Sequence, residues 1–258
     1  MTAKKKMSLV IPKTLISTNS INWQPTLEDR AILDDPHNVD PSRVQPLAYA
    51  TIWRSEVEGE KPGMYVLQYV RSKGGTESRL HDLLSVGFGG HIDEEMIVTM
   101  AHSFVESLER ELVEELGFYF DPRVLWRSVL RSMASHRIIY IPTDDVGSVH
   151  VGLSVMLSFQ EQCESLELPF NSETVALNNF SPEKLEIAKL SWQRLEDIIE
   201  TDLSNYEPWS NAIIAAYFTQ RLEEIASAAG MQNALAKPSE QEPAADGQEP
   251  EQVAHQSV

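Results

Sequence analysis

Three glutamates on one predicted helix have the residue type and spacing of a metal-binding site. Glu114 and Glu115 follow Glu111 by three and four positions. Each helical residue turns about 100°, so the three carboxylates share an arc of roughly 100° on one side of the helix. Like charges placed in this way repel, and a hard divalent cation with oxygen ligands would offset the repulsion. The spacing therefore predicts a cation site, and the alternative is a solvated acidic helix face.

The helix that carries these glutamates is predicted over residues 98–116. Its apolar residues recur at steps of three and four and form one stripe: Ala101, Val105, Leu108, Leu112 and Leu116. Gly117 follows the stripe and is typical of a helix C-cap. Arg110 is predicted on a different side of the helix from the carboxylate arc, with Glu106 and Glu114 four positions away on either side.

Other elements are predicted from hydrophobic alternation and from turn residues. Residues 84–92 are predicted as a strand that ends in the glycine turn Gly89-Gly90. Residues 47–53 and 64–70 are predicted to form a hairpin with a long loop. Further strands are predicted at 6–11, 137–141, 149–159 and 187–192, a short helix at 195–200, and a last helix from 209 to about 229 that Pro208 opens.

The segment from Arg110 to Phe118, Arg-Glu-Leu-Val-Glu-Glu-Leu-Gly-Phe, resembles the second half of the Nudix box. This sequence departs from the first half of the Nudix box. The glutamate and the glycine of that half would fall at His102 and Met96. The loop after Gly90 is about six residues longer than is usual in the family, and the segment 71–81 with the residues 90–93 resembles a Nudix branch of predicted phosphoesterases with an expanded loop. The candidates for the missing glutamate are Glu94, Glu95 and Glu106.

The resemblance covers about residues 43–229 and implies an α/β fold, the Nudix α/β/α sandwich around a mixed sheet. We expect a Nudix domain at 43–230 and an N-terminal extension at 1–42. Residues 231–258 are rich in Gln, Glu, Pro and Ala and have few large apolar residues. Such a segment buries too little surface to offset its ordering entropy, so we expect a disordered acidic tail.

The resemblance also implies a hydrolase that cleaves a diphosphate linkage in a nucleoside diphosphate derivative or a similar small molecule. It implies Mg²⁺, with Mn²⁺ as the alternative, on Glu111, Glu114, Glu115 and the backbone carbonyl of Gly90, with Arg110 in the catalytic set. In this family a loop carboxylate often orients the attacking water. By chain position alone, the candidates for that carboxylate are Asp144, Asp145, Glu161 and Glu164.

Basic residues and one histidine near the motif are candidates for substrate binding. Arg71, Lys73 and Arg79 cluster in an otherwise acidic sequence and could hold a substrate phosphate, and the alternative is an ordinary basic loop. His91 follows the glycines and could contact substrate, and the alternative is a histidine that stabilises the turn or is simply exposed.

Composition limits the classes of partner. The net charge of −18 disfavours duplex nucleic acid, and no apolar run is long enough to cross a membrane. The single cysteine excludes an internal disulfide, so we expect a cytoplasmic protein. A homodimer is left open. Two alternatives to hydrolysis remain: a non-catalytic Nudix-fold sensor that acts through a protein partner and, as a minor option, a prenyl diphosphate isomerase.

Overall fold

The computed structural model describes residues 8–16, 31–33, 40–56, 63–73, 78–93, 96–143, 147–171, 174, 176–177, 180 and 187–217. Those up to residue 216 form one compact unit. Several predictions fall outside the described residues: the tail at 231–258 and the loop carboxylates Glu94, Glu95, Asp144 and Asp145.

A mixed sheet forms the centre of the fold. Its longest strand is β3 (Arg43–Glu56). The other strands are β1 (Ser8–Pro12), β2 (Ala31–Leu33), β4 (Gly63–Arg71), β5 (Leu84–Ser85), β6 (Phe88–His91), β7 (Ile138–Ile139), β8 (His150–Ser158) and β9 (Ile187–Arg194). β3 runs antiparallel to β1, β4 and β6 and parallel to β8. Residues 44–52 of β3 are all buried, so both of its faces are covered.

Most strands predicted from alternation are confirmed with small changes at their ends. The single strand predicted at 84–92 is wrong, because β5 and β6 are separate strands, and Gly89 and Gly90 lie within β6 and not in a turn. β3 and β4 form the predicted hairpin, in which Trp53 lies opposite Val66. β9 pairs with β4, and β7 pairs with β8. β1 covers most of the strand predicted at 6–11 and pairs with β3 through Ile11 and Val44. The domain boundary at residue 42 stays a prediction.

Helix α1 (Met100–Leu116) is the helix predicted from the apolar stripe. Thr99 caps its start, because its hydroxyl accepts a hydrogen bond from the backbone N–H of His102 at 3.2 Å. Gly117 ends it in the left-handed conformation, with φ of 61°, as the sequence predicted. Val105, Leu108, Leu112 and Leu116 of the stripe are buried, Ala101 is partly buried, and α1 packs against β6 and β3. Packing therefore fixes the rotation of α1 and hence the direction of its charged side chains.

In the described part of the chain, four further α-helices follow α1. They are α2 (Pro122–Ala134), α3 (Phe159–Ser165), α4 (Leu195–Ile199) and α5, of which residues 208–217 are described. α4 and the start of α5 at Pro208 match the prediction, whereas α2 and α3 were not predicted. α2 packs against α1 and β8, and α4 packs against β4. The predicted α/β/α class around a mixed sheet is confirmed, and no helix among the described residues is long and apolar enough to span a bilayer.

Candidate functional site

The motif carboxylates lie on the last two turns of α1. Glu111 and Glu115 are 3% and 4% exposed and flank the buried apolar stripe. The side chain of Glu114 is 41% exposed and lies at the rim. Two carboxylates are thus held out of water on the face of α1 that packs on the sheet, and the third borders them. Burial of a carboxylate is costly unless charge or hydrogen bonds compensate it.

Gly90 forms one wall of this site. It lies on β6, where it pairs with Ala48 of β3. A Cβ placed on Gly90 would lie 2.6 Å from Cδ of Glu111 and closer still to Oε1 of that carboxylate. The Ser107 hydroxyl donates to the carbonyls of Gly90 and His91, at 3.3 Å each, and ties α1 to this strand. The absence of a side chain at Gly90 therefore lets the carboxylate and the strand backbone approach each other.

Arg110 places a positively charged guanidinium in the site. Its guanidinium donates to the carboxylate of Asp93, to the His91 carbonyl at 3.0 Å and to Glu111 at 2.5 Å, and its Nε lies 3.9 Å from Glu114. Burial works against its charge, but the carboxylates of Glu111, Asp93 and Glu114 outweigh burial and raise the pKa of Arg110. The prediction that Arg110 lies on a different side of the helix from the carboxylates was therefore wrong. The long guanidinium reaches around the helix to the neighbouring Glu111 and across to the strand.

His102, which stands at the position of the family's glutamate, has other partners. Its Nε2 lies 2.9 Å from Glu106, and its ring packs on Trp126 with the two centroids 5.8 Å apart. Glu106, one of the three candidates for the missing glutamate, is thus in contact with His102. Glu94 and Glu95 lie outside the described residues.

A second polar cluster surrounds Glu207, just before α5, and sequence reasoning missed it. Oε1 of Glu207 accepts hydrogen bonds from the hydroxyls of Tyr49, Ser85 and Ser210, the last two at 2.6 and 3.2 Å. Its Oε2 accepts from Arg71 at 3.3 Å. All of these residues except Arg71 are buried. The sequence signal for this cluster is weak. It consists of an acidic residue, Glu207, immediately before Pro208, which opens a mostly apolar helix.

The charge of Arg71 interacts with this cluster and with Glu115 of the motif helix. Burial works against the charge of its guanidinium, but nearby Tyr69, Glu207, Tyr49 and Glu115 outweigh burial and raise the pKa of Arg71. Burial is also the first cause of a raised pKa of Tyr69, with contributions from Glu115 and Glu207. The charges of Arg71 and Glu115 therefore act on each other within one part of the fold.

The other predicted substrate residues are placed differently from Arg71. Lys73 is exposed and forms an ion pair with Asp82, N to O 3.4 Å, and Arg79 is also exposed. His91, on β6 beside Gly90, has its Nε2 3.0 Å from Nε2 of the buried His150. Arg71 is thus the part-buried member of the basic cluster.

The predicted water-orienting carboxylates that are described lie on α3. Glu161 is 3.4 Å from Arg127 and 3.8 Å from Arg131, both on α2, and Glu164 is exposed. A cavity of about 340 Å³ borders α3, and its wall is largely apolar, with Phe118, Phe159 and Cys163 among its residues. Its wall does not include the motif glutamates.

In the described part of the chain, no group of three or more His, Cys, Asp or Glu side chains is arranged as metal ligands. The ligand set of Glu111, Glu114 and Glu115 therefore stays a prediction. What the structure places together is a buried pair of motif glutamates, the backbone of Gly90 and the Arg110–Asp93 pair.

Replacing Gly90 with alanine tests how closely Glu111 must approach the strand. The added Cβ would displace the Glu111 carboxylate from Gly90, because the three atoms nearest to that Cβ all belong to this carboxylate. We expect kcat of the metal-dependent hydrolysis that the motif implies to fall about 10- to 100-fold, as for other changes that misplace a metal ligand. Steady-state kinetics would measure this. Gly63→Ala is the control for the strain of an added Cβ. Gly63 has a φ of 157°, and its Cβ would meet side-chain atoms of Arg194 at the end of β9 and Glu196 on α4, and none of the motif glutamates. Equal activity of the two variants would contradict the prediction.

The chain is similar to known proteins over part of its length. No family model matches the chain. It is 29% identical over 180 residues to Protein YmaB of Bacillus subtilis (strain 168), an alignment covering 68% of this chain and 71% of that protein.

Among solved structures, the chain is similar to Tm1382, described as a proposed Nudix hydrolase, with 19% identity and a TM-score of 0.46 over 84% of this chain and 99% of that one. It is also similar to the Nudix domain of NrtR from Shewanella oneidensis, solved with ADP ribose, with 12% identity and a TM-score of 0.40 over 69% and 88%.

The motif and its surroundings agree with each other. The residues Arg110–Leu116 lie on α1, and Gly117 and Phe118 follow it. α1 comes after β6, which contains Gly89 and Gly90, and Glu111 of the helix packs against Gly90 of the strand. This arrangement agrees with the strand, loop and helix order that the resemblance to the Nudix box implies.

Proposed function

We propose that this protein hydrolyses a diphosphate linkage in a nucleoside diphosphate derivative or a similar small molecule, in the cytoplasm, with Mg²⁺ as cofactor. The observation that carries the proposal is the burial of Glu111 and Glu115, one helical turn apart, with Glu111 against Gly90. A fold keeps two such carboxylates out of water when a positive charge compensates them, and burial alone would be destabilising.

The residues at this site suit a hard divalent cation. All proposed ligands are oxygens: the carboxylates of Glu111, Glu114 and Glu115 and the carbonyl of Gly90. Gly90 has no side chain to fill the space beside Glu111. Arg110 brings one positive charge into contact with three carboxylates, those of Asp93, Glu111 and Glu114. A further cation would balance this excess of negative charge.

The chain's own groups then have separate tasks. A divalent cation bound here supplies positive charge to the diphosphate oxygens and lowers the pKa of water. Arg110 holds Glu111 in place through their 2.5 Å contact. Arg71 binds a substrate phosphate. Within the described residues, its guanidinium makes two hydrogen bonds, to Tyr69 and Glu207, and both come from Nη1. Nε and Nη2 are therefore left for an anion. We propose Lys73, Arg79 and His91 as further contacts of the substrate.

The second candidate function is that of a non-catalytic sensor with a Nudix fold. The observation that favours it is His102 at the position of the motif glutamate, in contact with Glu106 instead of with the motif carboxylates. Such a protein would bind the diphosphate ligand without turnover and would act through a protein partner.

One experiment separates the two functions. The full-length protein is incubated with nucleotide sugars, dinucleotides, ADP-ribose and nucleoside triphosphates, with Mg²⁺, with Mn²⁺ or with EDTA, and phosphate-containing products are measured. We expect one compound class to release a nucleoside monophosphate or pyrophosphate in a metal-dependent reaction. Calorimetric titration with the same compounds is run in parallel. Tight binding with no product in any metal would overturn hydrolysis and favour the sensor.

A further inference from the structure

Asp93 is a buried carboxylate that the motif does not contain. It is 7% exposed and follows β6 by two residues. The backbone around it is held on both sides: the carbonyl of Ile92 accepts from the N–H of Leu9 at 3.0 Å, and that of Asp93 accepts from Met96 at 3.0 Å. Asp93 is therefore presented from a fixed segment at the beginning of the expanded loop.

The side chain of Asp93 contacts Arg110. The guanidinium of Arg110 uses one nitrogen for Asp93 and another for Glu111. Nη1 donates to Asp93, and Nη2 donates to Glu111 Oε1 and to the carbonyl of His91. A planar guanidinium that is held at one nitrogen has little freedom at the other. The chain Asp93–Arg110–Glu111 thus connects the strand side of the site to a proposed metal ligand.

The same contacts address the glutamate that the sequence lacks. His102 occupies its position, and Glu106 contacts His102. Asp93 was not among the sequence candidates, yet in the described residues it is the carboxylate beyond α1 that Arg110 contacts. The acidic partner comes here from the end of the strand and not from the helix.

We propose that Asp93 is a positioning residue: acting through Arg110, it fixes the Glu111 carboxylate for cation binding, and it replaces the acidic residue absent at position 102. This rests on the proposed function, because it assumes that Glu111 binds the cation. Asp93 itself touches neither substrate nor cation in this proposal. Its effect should therefore appear in metal affinity and in kcat, and much less in KM.

The test is a double-mutant cycle with Asp93→Asn, Arg110→Gln and the double variant, with Asp197→Asn as control because it breaks a part-exposed ion pair with Arg194 that is not part of the proposed site. Mn²⁺ affinity is measured by electron paramagnetic resonance in the absence of substrate, and kcat and KM are measured with the substrate found above. We expect Asp93→Asn to weaken Mn²⁺ binding about 10-fold and to lower kcat about 10- to 100-fold. The double variant should be no worse than Arg110→Gln alone, since both changes break one chain of contacts.

Additive effects of the two substitutions, or Mn²⁺ affinity in Asp93→Asn equal to that of the wild type, would overturn the proposal. Asp93→Glu keeps the charge and serves if Asp93→Asn does not fold; it should bind Mn²⁺ more tightly than Asp93→Ala, and equal affinities would count against the idea. The Mn²⁺ measurement needs no turnover. A wild type that binds Mn²⁺ but hydrolyses nothing would therefore end the proposed function while still testing Asp93.

Discussion

Replacing Glu115 with glutamine should lower kcat for diphosphate hydrolysis by about 1000-fold, an increase in activation free energy of about 4 kcal/mol. Glu115 is buried one helical turn after Glu111, where its charge can contribute to a bound cation. Glutamine has nearly the same shape but is neutral and is a poorer ligand for a hard cation. The side chain should still pack, so the fold should be kept. The measurement is kcat at saturating Mg²⁺, together with circular dichroism of the variant.

Glu109→Gln is the matched control for this experiment. Glu109 lies on the same helix, and its side chain interacts with Tyr119, whose pKa is raised first by burial and then by this glutamate. The same chemical change is thus made on α1 but away from the buried pair, and activity should stay within about twofold of the wild type. Equal losses in both variants would show that helix charge in general, and not Glu115, supports activity.

Replacing Glu207 with glutamine should lower the free energy of unfolding by about 3 kcal/mol. The carboxylate accepts hydrogen bonds from three hydroxyls at one oxygen and from Arg71 at the other. An amide presents one oxygen and one NH₂ group, so either Arg71 or the hydroxyls would face a donor. The part-buried guanidinium also loses its charge partner, which costs more than the loss of a neutral hydrogen bond. Urea unfolding followed by fluorescence measures the change.

Glu196→Gln provides the comparison, because Glu196 pairs with Arg194 at 3.2 Å and is about half exposed. Exposed pairs contribute little, so its effect should stay below about 1 kcal/mol. If Arg71 binds phosphate as proposed, Glu207→Gln should also raise KM. A Glu207→Gln protein as stable as Glu196→Gln would show that the buried cluster does not hold α5 to the sheet.

Local patterns account for the elements that could be predicted. The stripe on α1 and its stop at Gly117 depend on residues close in sequence, and so does the β3–β4 hairpin. α2 was missed although Asp121 and Pro122 are a helix-start signal. Its buried face includes Ser128 and Ser132, and these small polar residues interrupt the apolar periodicity on which the prediction depended. Packing between helices, and not hydrophobicity alone, buries that face.

In the site, too, local placements could be predicted and long-range contacts could not. The relative placement of Glu111 and Glu115 could be predicted because one helix fixes it. The partner of Arg110 could not, since Asp93 lies 17 residues away and across the expanded loop. Tyr49 and Glu207 are 158 positions apart, and nothing local in the sequence relates them. Contacts of this kind are set by the order of strands in the sheet, which the sequence alone did not specify.

The position of the glutamates just before Gly117 has an electrostatic consequence. The C-terminal end of a helix carries partial negative charge from its unpaired carbonyls, and acidic side chains there are disfavoured by up to about 1 kcal/mol each. α1 has no basic residue in its last turn to offset this. The backbone dipole and the side chains thus repel one another at this end. An ion bound there for chemistry would also stabilise the last turn of the helix, so that folding and cofactor binding would favour each other.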